Sequence, residues 1–185
     1  MTVCDPGEHT MKKFAPAAFR WVAKEELLQR IGKGVCEFMA LCANLEVQQE
    51  YPPPPPDGRT PVVMAVIAFE GDYLGVVWAR CSKPLAVRVA AGMLGTGAAA
   101  IDENVSEALG AMINILGGDV KLFLCHGGGT VNLSLPCVSQ SNSSGHSEFT
   151  DGPESVLCSF LHGKERLLVG LTLRKAQEEP LPEYL

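Results

Sequence analysis

The most regular hydrophobic pattern in the chain lies between residues 102 and 125. Val105, Leu109, Met112, Ile113, Leu116, Val120 and Phe123 recur at helical spacing and gather on one side. Asn104, Glu107, Ala111, Asn114, Gly118 and Lys121 step by three and four on the other side, so a helix here carries a narrow hydrophilic stripe opposite its core face. An earlier helix is expected over 22–49, where Leu28, Ile31, Val35, Phe38, Met39, Cys42 and Leu45 keep the same rhythm. Gly32 and Gly34 interrupt it with small residues that let another backbone come close.

The five prolines Pro52–Pro56 cannot continue a helix or enter a central strand, and they favour an extended spacer. Residues 61–70 and 73–82 then read as two strands joined by the turn pair Gly71-Asp72. Pro84 opens a short helix that closes at Gly95. After the long helix, which the glycine run at 127–129 stops, residues 130–139 read as a strand, and Pro136 puts it at a sheet edge or a strand end. A polar loop leads to a second hairpin, with strands near 156–162 and 167–174 and a turn at Gly163-Lys164. The order α-β-β-α-α-β-β-β, dominated by hairpins, predicts a single α+β domain whose mostly antiparallel sheet carries packed helices. Its expected limits are residues 21–175, with an irregular lead-in over 1–20 and a polar tail over 176–185.

Composition narrows the function. Hydrophobic residues make up 46% of the 185 residues and charged residues 19%, which suits a globular core. A net charge of −6 argues against nucleic acid as a partner. No run of 18 apolar residues and no basic-then-apolar leader is present, so neither a membrane span nor export is expected. Seven cysteines without a CxxC pair fit reduced, mostly buried thiols in the cytoplasm. The four histidines show no ligand spacing, no Ser-His-Asp or Cys-His pattern appears, and the GGGT at 127–130 lacks the GK[ST] ending of a phosphate loop.

The segment SEALGAMINILGGDVK resembles the signature helix of the CheC/CheX family of chemotaxis phosphatases. Asn114 matches the family asparagine, INILGGDVK the run after it, and Pro136, 22 residues beyond, the family proline to within one position. VIAFEGDYLGVVWA and LAVRVAAGMLG match the family's earlier hairpin and short helix in order and length. The resemblance implies action on the aspartyl phosphate of a CheY-type response regulator. The asparagine would orient the attacking water, and a glutamate would pair with the regulator's lysine. The regulator would bring its own magnesium ion, leaving this chain with no cofactor of its own. It also implies a homodimer of the single-domain, CheX-like kind.

The glutamate is missing: Ala111 stands in its place, and Glu107, one turn earlier, is the nearest carboxylate on the stripe. The resemblance therefore implies Asn114 and Glu107 as catalytic candidates, with Asn104, Glu107, Ala111, Asn114, Gly118 and Lys121 as the partner-binding stripe. Three readings stay open: a phosphatase weakened by Ala111, a non-catalytic module that holds a receiver domain or another signalling protein, and a dimerisation domain that has lost the interaction.

Overall fold

The structure, a computed structural model, describes residues 19–53, 62–95, 103–126, 128–141 and 155–176. The lead-in up to residue 18, most of the proline run, the linker before the long helix, nearly all of the polar loop and the tail from residue 177 lie outside these residues, and Phe19 and Arg20, expected in the lead-in, already belong to the first helix.

The elements run α1 (Phe19–Leu41), β1 (Gln48–Glu50), β2 (Val62–Gly71), β3 (Tyr73–Ser82), α2 (Lys83–Leu94), α3 (Glu103–His126), β4 (Val131–Leu133), β5 (Cys137–Ser141), β6 (Ser155–His162) and β7 (Glu165–Lys175). The expected order holds, with two additions. Helix α1 stops at Leu41, well short of 49, because Asn44 takes a left-handed φ of 52° and the amide of Leu45 folds back onto the Met39 carbonyl. The freed residues Gln48–Glu50 form β1 against β6. The strand expected over 130–139 is two strands, β4 and β5, broken at Ser134-Leu135-Pro136.

The seven strands form one antiparallel sheet ordered β1-β6-β7-β3-β2, and both β4 and β5 pair with the far edge of β2. Both hairpins turn where expected. Gly71 has φ 134° and Gly163 φ 61°, conformations that favour glycine. Asp72 locks the first turn, its carboxylate accepting from the Thr130 amide at 2.7 Å. Helix α2 begins on Ser82, whose hydroxyl accepts from the Leu85 amide and donates to Glu165, and ends on left-handed Gly95.

Among the described elements, the helices lie on one sheet face. Val63, Ala65, Ile67 and Phe69 of β2, Val77, Ala79 and Cys81 of β3, and Leu167, Val169 and Leu171 of β7 point toward them and are buried. On the opposite face, the Trp78 indole lies over Gly170, in the space a β-carbon there would occupy. Helix α3 packs on β2 and against α1 and α2. Val105, Leu109, Met112, Ile113, Leu116 and Val120 are buried, whereas Phe123 is half-buried under the Arg30 guanidinium, 5.1 Å from its ring centre. By length and composition α3 would also suit a bilayer, but its apolar side forms the centre of this core. At the two glycines of α1 it is neighbouring side chains, not another backbone, that come close: Leu116 and Asp119 at Gly34, and Gln49 at Gly32.

The thiols depart from expectation. Of the six described cysteines, all unpaired, only Cys81 and Cys158 are buried, whereas Cys42, Cys125 and Cys137 are exposed.

Candidate functional site

Helix α3 is closed at its C-terminus by Gly128, left-handed at φ 86°, whose amide reaches the Cys125 carbonyl at 2.9 Å. It is one continuous helix from Glu103 to His126, so residues advance about 100° each around its axis. With Asn114 as origin, Glu107 and Lys121 fall within about 20° of it, Gly118 and Ala111 about 40° and 60° to one side, and Asn104 about 80°. Asn104, Glu107 and Asn114 are exposed, and Ala111, Gly118 and Lys121 are half-buried. The structure thus brings all six expected residues onto one outward ridge. A β-carbon at Gly118 would meet nothing within 4 Å, so the ridge is shallow just beyond the amide.

The ridge has two different flanks. On one side runs the break between β4 and β5. Leu133 lies 3.8 Å from where a β-carbon at Gly117 would stand, and Pro136 lies at the same distance from that of Gly110. The intervening Ser134-Leu135 therefore passes alongside the turn that bears Asn114. Ser134 pins this passage: its hydroxyl accepts from the Ala68 amide, its amide donates to the Ala68 carbonyl, and its hydroxyl donates to the Leu135 carbonyl, each at 3.0 Å. Leu135 is left 89% exposed. On the other side, toward α1, Ile115 and Leu122 are 45% and 58% exposed.

Chemically, Asn114 offers a carbonyl acceptor and an amide donor at one point, enough to hold and orient a water molecule. Its side chain has no hydrogen bond among the described residues, and neither Glu107 nor Lys121 has an ion pair there. The methyl of Ala111 supplies no charge one turn before the amide. No cluster of three metal-ligating side chains occurs among the described residues. The exposed flanks escaped the sequence reading, although Ile115 and Leu122, seven residues apart, repeat on one line of the helix and could have revealed one of them.

Residues 63–161 match the family model of the chemotaxis phosphatase CheX, a span that contains α3, its ridge and both flanks. The chain belongs to the CheX family. Solved CheX structures share its fold at low identity. CheX from Vibrio vulnificus superposes with a TM-score of 0.67 at 17% identity, over 80% of this chain and 97% of that one. CheX from Desulfovibrio desulfuricans gives 0.65 at 19%, over 80% and 99%. CheX from Borrelia burgdorferi, solved in complex with CheY, beryllofluoride and magnesium, gives 0.65 at 17%, over 82% and 98%. No curated protein sequence matches significantly.

Proposed function

We propose that this CheX-family protein docks the outer ridge of α3 against a phosphorylated CheY-type receiver domain and hydrolyses its aspartyl phosphate slowly, with Asn114 orienting the water. The observation that carries this reading is the exposed, unpartnered Asn114 amide at the centre of the ridge. Hydrolysis of an acyl phosphate needs a water held in line with the phosphorus and neutralisation of the equatorial oxygens. The amide supplies the first, and the receiver's own magnesium ion and lysine supply the second, so this chain brings no cofactor. The Borrelia relative bound to CheY with beryllofluoride and magnesium supports this choice of partner.

Ala111 limits the activity. A methyl cannot pair with the receiver's lysine, and the loss of such a contact at an interface costs about 2–5 kcal/mol. Glu107, one turn earlier, is the carboxylate left to assist docking. Ala111 also favours a second reading, in which the chain binds a receiver or another signalling protein without catalysis. The test is binding of a CheY-type receiver loaded with beryllofluoride and magnesium. Saturable binding supports both readings, and its absence sinks the first and leaves the second only with a partner other than a receiver.

The same proposal includes a cytoplasmic homodimer joined through the sheet. Half-buried Met64, Val66 and Leu157 on the face away from the described helices support it. Light scattering that finds a monomer at micromolar concentration would count against the dimer.

A further inference from the structure

The exposed apolar side chains beside α3 are not scattered. Leu135 stands on one flank of Asn114, and Ile115 and Leu122 stand on the other. Exposed apolar groups contribute nothing to the core, and when they bracket a polar site they mark a contact surface. The backbone that carries Leu135 is pinned to β2 by Ser134 through both the amide and the carbonyl of Ala68, so the side chain is held out in advance of any contact. Glu107 and Lys121 lie about 10 Å along the axis on either side of Asn114. Both lack ion pairs among the described residues, so the ridge presents a carboxylate at one end and an ammonium at the other.

We propose that Leu135 on one flank and Ile115 and Leu122 on the other are the apolar anchors of the receiver-docking face, and that Glu107 and Lys121 fix the direction in which the receiver lies. This rests on the docking of a phosphorylated receiver proposed above and deepens it. A receiver's phosphorylation surface combines a lysine with the carboxylates that hold its magnesium ion. Charge complementarity places the lysine toward Glu107 and the acidic edge toward Lys121. With the family glutamate replaced by Ala111, burial of the anchors supplies the affinity that an ion pair would otherwise give.

The experiment is a calorimetric titration of the full chain with a CheY-type receiver loaded with beryllofluoride and magnesium. It compares wild type with Leu135→Ser, Leu122→Ser and Lys121→Glu, and records the melting temperature of each. The three positions are outside the core, so melting temperatures stay near wild type. Each leucine variant raises Kd at least tenfold, and Lys121→Glu raises it about threefold or more. A wild type that binds while both leucine variants keep its Kd within threefold overturns the anchors but leaves receiver docking standing. A wild type that does not bind overturns docking itself. If a leucine variant melts early, Leu135→Asn and Leu122→Lys, judged by the same threshold, take its place.

Discussion

Pro136 of the sheet edge packs against Gly110 of α3, its Cβ 3.8 Å from where a side chain at 110 would begin. That contact and the matching one between Leu133 and Gly117 lay the break between β4 and β5 along the helix, so the edge of the sheet becomes one wall of the ridge. A proline at this point suits an edge strand, where no ladder hydrogen bond from its nitrogen is required. A bulky residue at 110 would push the wall away from Asn114. Gly110→Leu should weaken receiver binding more than it lowers the melting temperature, which titration and thermal unfolding together would reveal.

The neighbours Gly117 and Gly118 should respond in opposite directions to the same change. A β-carbon at 117 would stand 2.9 Å from Ile67 Cγ2 in the packed interface between α3 and β2, whereas one at 118 meets open space. Gly117→Ala should destabilise the protein by about 1 kcal/mol or more through overpacking. Gly118→Ala should stabilise it by about 0.5–1 kcal/mol through helix propensity, while filling the shallow part of the ridge and weakening docking. Denaturant unfolding of both variants is the check, and equal effects would contradict the helix placement.

Glu50 ties β1 to the second hairpin, accepting from Arg166 Nε at 3.0 Å and from the fully buried Ser159 hydroxyl at 2.9 Å. These hydrogen bonds, that from Arg166 first, hold its carboxyl below the usual carboxylate range. A lowered folded-state pKa stabilises the protein above the unfolded value, and that contribution is lost as pH falls through the folded one. Glu50→Gln should therefore melt below wild type at pH 7, with the gap closing in acid below the normal glutamate range. Melting curves across that window test it, and a gap independent of pH would contradict it.

Burial pushes the Cys81 thiol up to about 12 and that of Cys158 to about 11, leaving almost no thiolate near neutrality. Cys42, Cys125 and Cys137 are exposed. Iodoacetamide at pH 8 should label these three in the folded protein, and Cys81 and Cys158 only after denaturation, as peptide mass mapping would show.

Much of the fold was legible because its strongest signals are local. The 3.6-residue rhythm of 105–120 and the turn pairs Gly71-Asp72 and Gly163-Lys164 need no tertiary context to be read. The end of α1 was not legible, because Cys42 and Leu45 prolong the apolar rhythm while Asn44, a residue that tolerates positive φ, breaks the helix. β1 has the sequence Gln-Gln-Glu and is a strand only because β6 offers an unpaired edge. Pro136 announced an edge, but nothing local told that Ser134 would fasten the break to Ala68 and leave Leu135 outside. The ridge followed from spacing alone, whereas the wall beside it depends on residues some 20 positions away along the chain.

Whether the missing carboxylate limits the reaction can be asked by restoring it. Ala111→Glu returns a charged group to a half-buried position one turn before Asn114. It should accelerate dephosphorylation of a CheY-type receiver at least tenfold over wild type, read as phosphoryl loss after labelling with acetyl phosphate. An unchanged rate would mean that docking depends on other parts of the surface.

Orientation of the water by the Asn114 amide is read in single-turnover loss of the phosphoryl group at saturating concentrations of this protein. Wild type should exceed the receiver's own rate, and Asn114→Ala should return it to that rate while Kd for the beryllofluoride-loaded receiver stays within threefold. An Asn114→Ala variant that hydrolyses as fast as wild type would mean that this amide does not orient the water.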